Sequence, residues 1–531
     1  MCDYFFNPIF MLAKVFSACN FGIDVYSVDV EVDIANGMPV FSIVGLGDAS
    51  VQEARERVRS AIKNSNFEFP QNRKTVNLAP ADLRKKGSIF DLPIAVGILF
   101  ASGQIRLHSN LSSAFKDGIF IGELALNGDV KKIDGALAIT EFAKQTGYKK
   151  IYLPSENFAE ASLISGIKVV PVSSLKQLIE HFKTGRIAES EFHRTHAPES
   201  AISPDCAEND SNDFQYINGQ EFAKRAIKIS IAGGHNLLMI GPPGCGKTML
   251  ANAAKSILPE MDFDESIDVT KIYSVAGMLK KGEFIMKKRP FREVHHTASP
   301  ISILGGGQNI IPGEISLAHR GILFFDELTL FPQSVIENLR QPLESGHITI
   351  SRTKYKTSYP SDFIFIGAMN PCSCGYLGDE KHVCICTDTQ LKAYKNRISG
   401  PFLDRMDLIV NMKKAHNPAT KCAKSAKKSV QNAQSFNFSE IYNSIKTARE
   451  RQKVRFGKSM LNKNIPVNDL EKFCELDKEC RDFLKSVVSK LNISMRTYHK
   501  IIKVSRTIAD LQDADRINHS HLAEAMQYRG C

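Results

Sequence analysis

Eight consecutive residues carry the sharpest chemical signal in the chain: Gly241, Pro242, Pro243, Gly244, Cys245, Gly246, Lys247 and Thr248, a G-x-x-x-x-G-K-T string directly after the apolar run LLMI. Glycines at this spacing let backbone N–H groups turn inward around phosphates, and the helix N-terminus that follows favours their negative charge. Lys247 is placed to reach the outer phosphates and Thr248 to ligate Mg²⁺, while Cys245 fills a variable slot. The stretch therefore predicts a bound nucleotide. Asp326 and Glu327 follow the apolar run GILFF. Asp326 is placed to hold the Mg²⁺ and Glu327 to polarise an attacking water. Asn370 ends another apolar run, FIFIGAMN, where a neutral amide can orient that water without competing for the metal. A solvent-facing acidic pair is the plain alternative for Asp326 and Glu327, and the phosphate loop upstream argues against it.

Just beyond Asn370, Cys372, Cys374, Cys384 and Cys386 stand as two C-x-C pairs. Four thiolates in two close pairs suit a closed tetrahedral Zn²⁺ site, which is structural because no position stays open for water. Free thiols and a redox switch are the alternatives, and His382 is a possible substitute ligand. His295 and His296 read as a packing or nucleotide-proximal pair.

These residues need strands and helices to position them. Apolar strands followed by helices predict a parallel α/β sheet over 214–412. Before it, β-like VDVEVDI and FSIVGL alternate with helix-like VQEARERVRSAIKNS, predicting a second α/β unit over 11–182. After it, SEIYNSIKTARERQ, with a serine at a cap position, and RTYHKIIKVSRTIADL predict a helical unit over 436–531. The polar stretches 183–213 and 413–435 read as linkers, the second of them basic.

The chain has 531 residues, room for two to four domains, with 43% hydrophobic and 24% charged residues. That composition excludes fibrous and wholly disordered classes. A net charge of +11 is compatible with a polyanionic partner. Twelve cysteines spread along so long a chain read as reduced thiols. No run approaches the roughly 18 uncharged apolar residues of a membrane helix. Asp3 and Lys14 argue against an export signal ending at Cys19. A cytoplasmic location without membrane contact is expected.

The order of phosphate loop, Asp-Glu strand and strand-end asparagine resembles the AAA+ ATPases. Within them, GEISLAHRGILFFDEL, LRQPLESGHITISR, AMNPCSCG, ISGPFLDRMDL and SRTIADL resemble the magnesium-chelatase-like ComM/YifB family, a match running from Met11 through nearly the whole chain. The resemblance implies ATP and Mg²⁺ as ligands and a homo-oligomeric ring, six subunits by family expectation. Arg405 in LDRMD matches the arginine finger inserted into a neighbouring subunit's site, with Arg397 a second interface candidate. Arg496 in ISMRTYHK matches the sensor-2 arginine of a helical lid. The resemblance also gives the first unit a Lon-protease-like fold, with Phe90 in the place of the catalytic serine and Leu137 in that of its lysine. Ser88 and Lys132 are displaced, so no peptidase activity is expected.

For function, the resemblance implies a helicase or translocase that drives branch migration, helping incoming single-stranded DNA recombine during natural transformation. Two segments offer DNA contacts: KKGEFIMKKRPFREVHH, with Phe284 and Phe291 among basic residues, and HITISRTKYKTSYPSD, a predicted hairpin with Arg352, Lys354 and Lys356 near its tip. A magnesium chelatase subunit and an ATP-dependent unfoldase or scaffold are the competing readings. The first lacks a reason for the N-terminal unit. DNA-stimulated ATPase activity discriminates among the three.

Overall fold

The computed structural model describes residues 12–185, 214–414 and 438–529, apart from breaks at 46, 82–84, 86, 106, 109–110, 112–113, 215–216, 218, 281, 308–309, 353–354, 381 and 492–493. Met11, Lys354 and most of both expected linkers lie outside these residues. The first linker starts later than expected, because a helix continues through Thr184.

The chain begins with a mixed seven-stranded sheet. Its strands are β1 (Leu12–Phe21), β2 (Asp24–Ala35), β3 (Phe41–Val44), β4 (Arg73–Ala79), β5 (Gly118–Phe120), β6 (Lys150–Pro154) and β7 (Lys168–Val172), in the order β3-β4-β2-β1-β5-β6-β7. Alternate residues of β2 are buried, the period expected of a strand with one face on the core. Helix α1 (Ala49–Asn64) is capped by Asp48, whose carboxylate accepts from the Val51 N–H. Helix α2 (Asp91–Ala101), DLPIAVGILFA, is buried on nearly every side. Its one charge, Asp91, receives Arg57 Nε at 2.7 Å and Nη2 at 3.1 Å, as a buried carboxylate must.

The displaced protease positions have other surroundings. The Ser88 hydroxyl donates to Glu123, Lys132 is exposed, and Phe90 and Leu137 are buried. Helix α3 (Ala136–Gln145) carries the N-terminal unit onto the next one, and α4 (Leu175–Thr184) ends it.

The second sheet is parallel throughout. It comprises β8 (Leu237–Ile240), β9 (Phe291–Val294), β10 (Ile322–Phe325), β13 (Ile364–Met369) and β14 (Leu408–Asn411), ordered β9-β10-β13-β8-β14. Strands β10 and β13 are buried at every position, which is why their sequences are continuous apolar runs without alternation. Helices α5 (Glu221–Gly233), α6 (Lys247–Ala253) and α7 (Phe263–Val275) pack around it. Helix α8 (Arg340–Ser345) leads into the hairpin β11 (His347–Arg352) and β12 (Tyr355–Pro360), which has the expected antiparallel register.

Phe291 corrects the sequence reading. It lies in edge strand β9, half-buried, with the Lys255 ammonium 4.4 Å from its ring centroid and Phe324 packed against it. It is a packing residue and not a free stacking platform.

The C-terminal unit is helical: α9 (Phe438–Phe456), α10 (Lys478–Leu491), α11 (Met495–Leu511) and α12 (His519–Gln527). Ser439 lies inside α9, which is already helical at Phe438, so it is not the cap. Gln452 Nε2 donates to the Ala232 carbonyl at 3.0 Å, and His235 Nε2 lies 2.8 Å from Thr507 Oγ1. These bonds dock the helices on α5 and the start of β8. Among the described residues no helix is long and apolar enough to cross a membrane.

One buried ion pair fastens α11 to the sheet. Lys500 Nζ lies 2.9 Å from Asp407 Oδ1, and Asp407 Oδ2 accepts from the Asn236 N–H at 3.0 Å. Burial alone would raise the Asp407 carboxyl; Lys500 and His235 overcome it and hold it well below the usual carboxylate range. Its contribution is therefore present at neutral pH and lost as pH falls through that depressed value. Asp407→Ala leaves Lys500 without its countercharge, with only the Met406 carbonyl at 3.2 Å still bonded to it, a loss of roughly 3–5 kcal/mol. The expected outcome is a lower melting temperature and faster amide exchange in α11; an unchanged melting temperature contradicts the assignment.

Candidate active site

The phosphate loop begins where β8 ends, at the carboxyl edge of the parallel sheet, the edge at which open α/β sheets place ligands. The Gly241 N–H donates to the Met369 carbonyl at 3.1 Å, joining the loop to the end of β13. Gly244 and Gly246 have φ of +75° and +93°, and a Cβ at either would meet nothing within 4 Å. The loop thus surrounds an open hollow, with its backbone in the left-handed region that glycine adopts without strain.

Lys247 heads α6 and folds back over this hollow. Its Nζ donates to the carbonyls of Gly241 at 2.7 Å and Pro242 at 3.1 Å, and to Asn370 Oδ1 at 3.1 Å. Thr248 Oγ1 donates to Asp326 Oδ2 at 2.6 Å. The residues read separately from the sequence, Lys247, Thr248, Asp326 and Asn370, thus converge. The hydroxyl and carboxylate facing each other are hard oxygen donors that suit Mg²⁺, a cation bound by a few protein oxygens together with substrate phosphates.

Glu327 stands beside them in the left-handed conformation, φ +50°, a strained state for a non-glycine residue of the kind found at functional sites. Its N–H donates to Asp326 Oδ1 at 2.9 Å, and its carboxylate is 3.8 Å from His296 Nδ1. His296, its ring tilted by 33° against that of His295 with centroids 4.2 Å apart, is therefore next to the hollow. Sequence reasoning had passed over Gln220. Its Nε2 donates to the carbonyls of Cys245, at 3.4 Å, and Lys413, at 2.5 Å, tying the phosphate loop to the end of β14.

The four cysteines also converge. All four sulfurs lie within 4.8 Å of one another. Cys372 and Cys374 are 3.3 Å apart, Cys374 and Cys384 3.5 Å, and Cys372 and Cys384 3.7 Å. These separations are too long for disulfides. They approach the roughly 3.8 Å edge of a tetrahedron with ~2.3 Å Zn–S bonds, and the Leu377 N–H donates to Cys372 Sγ at 3.3 Å. The donor set fits Zn²⁺. His382 instead packs its ring on Tyr376, centroids 4.8 Å apart, so the four thiols stand without it. A Cβ on Gly375 would come within 2.9 Å of Pro243 Cδ, so the cysteine loop rests directly on the phosphate loop.

The arginines are elsewhere. Arg405 precedes β14, which pairs with β8 in parallel from Leu408↔Leu237 to Asn411↔Ile240. The phosphate loop follows β8, so Arg405 sits at the opposite, amino edge of the sheet. Four strand residues at roughly 3.3 Å each separate the two edges by about 13 Å. The Arg405 carbonyl is held there by Asn236 Nδ2 at 3.1 Å. Its guanidinium donates to the Pro401 carbonyl at 2.7 Å and to Glu344 Oε2 at 2.6 Å. Arg496, in the first turn of α11, donates to the other oxygen of Glu344. The arginines hold the Glu344 carboxyl below its ordinary value, Arg405 foremost. Arg397 is exposed, with Nη1 3.3 Å from the Thr329 carbonyl.

The relationship of these parts to known proteins is direct. Family models described as magnesium chelatase subunit ChlI match residues 213–420 and 30–157, and one for the ChlI C-terminal region matches 437–529. The competence protein ComM of Haemophilus influenzae is 40% identical over 520 residues, covering 98% of this chain and 97% of its own. The chain belongs to the ComM/YifB family of magnesium-chelatase-like AAA+ ATPases. YifB of Salmonella typhimurium is likewise 40% identical, over 98% of this chain and 97% of its own. The ChlI subunit of Cyanophora paradoxa is 28% identical over 183 residues, covering only 30% of this chain. Membership in this AAA+ family implies ATP and Mg²⁺ as ligands.

Gly246→Ala places a Cβ at φ +93°, a strain of roughly 1–2 kcal/mol. The expected outcome is nucleotide affinity weakened about tenfold, measured by titration with a fluorescent ATP analogue. Unchanged affinity contradicts a phosphate-binding role for this loop.

Proposed function

We propose that this protein is a ring-forming, Mg²⁺-dependent ATPase that converts hydrolysis into movement along single-stranded or branched DNA, promoting branch migration in the recombination that follows DNA uptake. The observation that carries the ring is the opposition of two edges. Each chain holds its phosphate loop at one edge of the sheet and Arg405 at the other, so Arg405 meets a γ-phosphate only in a second copy. Arg496 stands with Arg405 and acts on the same neighbour, where the lid-arginine assignment alone had left the partner site open. Six subunits is the family expectation.

In this reading the backbone N–H groups of Gly244 to Thr248 and the Lys247 ammonium bind the outer phosphates of ATP. Thr248 and Asp326 would hold Mg²⁺, which would supply positive charge to the bound phosphates. Glu327 accepts hydrogen bonding from the attacking water and polarises it, and Asn370 orients that water. Arg405 of the neighbouring copy stabilises the charge that develops on the transferred group.

Support for DNA comes from the name of the Haemophilus relative, a competence protein at full-length similarity, and from the +11 net charge. Hairpin β11–β12, with exposed Lys356, is the element we assign to backbone contact. A chelatase role is less well supported, since the likeness to the Cyanophora subunit reaches only 30% of the chain. The test is ATP turnover by purified protein with and without forked and three-stranded DNA. Stimulation is expected, and Glu327→Gln should bind ATP while turning over roughly 10²–10³-fold more slowly. No stimulation by any DNA overturns the DNA assignment, and near-normal turnover by Glu327→Gln overturns its role as base.

We further infer that the cysteine loop holds structural Zn²⁺. Metal analysis of protein purified without chelator should find about one zinc per chain, lost when Cys372 and Cys384 are both replaced by serine. Metal-free, folded and active wild-type protein rules the site out.

A further inference from the structure

Two arginines from distant parts of the chain converge on one carboxylate. Arg405 reaches Glu344 Oε2 at 2.6 Å, and Arg496 takes Oε1. Two guanidinium groups share one negative charge, which leaves the group with an excess of +1. Among the described residues the buried Arg405 Nε has no hydrogen-bond partner, so the present pose leaves one donor unsatisfied, which a turn of the side chain toward another anion would relieve. Half-exposed Glu344, with 51% of its side chain accessible, is a partner that can be exchanged, unlike a buried one. A polyphosphate presented by a neighbouring copy is a stronger anion than a single carboxylate, and guanidinium groups can bind it through two parallel bonds where each now makes one to Glu344.

Where Glu344 sits decides the consequence. It occupies the next-to-last position of α8, the helix ends at Gly346 in the left-handed conformation with φ +70°, and β11 starts at His347. The Gly346 N–H donates to the Pro342 carbonyl at 3.0 Å, and the Ser361 N–H donates to the Gly346 carbonyl at 2.8 Å, closing the base of the hairpin. Above this joint the hairpin is stiff: six residue pairs are in register. Tyr359 Oη donates to the Ile310 carbonyl at 2.5 Å, and a Cβ on Gly22 of the N-terminal unit would strike Tyr359 Oη at 2.6 Å. Glu344 is thus attached at one end to the arginines and, three residues along the chain, to a rigid lever.

We propose that Glu344 couples the nucleotide held by one subunit to the hairpin β11–β12 of the next. This rests on the ring reading above. With no phosphate within reach, Glu344 holds Arg405 and Arg496 together. When the neighbour's ATP draws the arginines toward it, Glu344 loses or shifts its partners, and α8 and the base of the hairpin move with it. Glu344 is a positioning residue: it touches neither nucleotide nor DNA.

The test measures amide hydrogen exchange over residues 347–360 in full-length protein, with and without a slowly hydrolysed ATP analogue and Mg²⁺. Sedimentation establishes assembly first, and analogue affinity is measured alongside. In assembled wild-type protein the analogue should change exchange in the hairpin by roughly fivefold or more. Glu344→Gln, which keeps the side chain's shape and removes its charge, should assemble and bind the analogue as wild type while losing that response. Arg405→Gln should lose it as well, by the other end of the same contact. An equal response in wild type and in both variants overturns the coupling, as does a wild-type ring whose hairpin ignores nucleotide. Failure of the wild type to assemble at any concentration overturns the ring reading itself, and the coupling falls with it. Should Glu344→Gln alone fail to assemble, Glu344→Asp, which retains the charge on a shorter arm, is expected to assemble with a reduced response; a full response there counts against the proposal.

Discussion

The parallel pairing of β8 between β13 and β14 is the constraint from which the site follows. In a parallel sheet all strands end at the same edge, so the residues that follow Ile240, Phe325 and Met369 arrive together although they are far apart in the chain. That convergence brings Lys247 within 3.1 Å of Asn370 and Thr248 within 2.6 Å of Asp326. Strands β10 and β13 are buried at every position, so their register cannot slip without exposing apolar side chains, and the geometry at their ends is held to the accuracy of a packed core. The same polarity sends Arg405 to the far edge. In the ring reading proposed above, a parallel sheet would thus make each subunit complete for binding and incomplete for stabilising the transferred phosphate.

The two flanking units are fastened to elements whose positions matter for such a division. Helix α11 is held by Asp407 and Lys500 next to Arg405, and Asn236 ties the Arg405 carbonyl to the start of β8. Asn236 also accepts from the Phe365 N–H at 3.2 Å, reaching β13. One amide therefore joins three strands at the amino edge, opposite the loop where phosphates would bind. On the other side the N-terminal unit grips α7. Lys271 meets Glu141 at 2.9 Å, the Gly135 N–H donates to Ser274 Oγ at 3.1 Å, and the Ser274 hydroxyl donates to buried Glu160. Its β1–β2 turn abuts Tyr359 of the hairpin. The N-terminal unit consequently packs against the hairpin.

Beside the nucleotide hollow the cysteine loop plays a comparable part by different means. The sequence there is polar and short of apolar residues that could be buried: Val383 and Ile385 are 88% and 83% exposed. A loop with so little core needs another source of order, and four converging thiols can supply it through a metal. Its contact with Pro243 means that order in this loop bears on the shape of the phosphate loop.

Local sequence alone determined the chemistry of the binding edge. Gly241 to Thr248, the acids after GILFF and the asparagine after FIFIGAM each pair a buried strand with a polar terminus, and that pattern is legible because strand burial and loop chemistry are both local properties. The hairpin of 347–360 was legible for the same reason, as were the two C-x-C pairs. Glu344, Asn236, Asp407 and Gln220 carry no such mark. Each is an ordinary polar residue whose meaning lies in a partner 25 to 193 positions away. Phe291 shows the converse: an aromatic among basic residues reads as a contact for nucleic acid until the sheet places it at an edge, under Lys255. What only the tertiary structure decided was the edge of the sheet on which each residue stands, because strand order and direction arise from long-range burial of apolar faces and not from the residues at the strand ends.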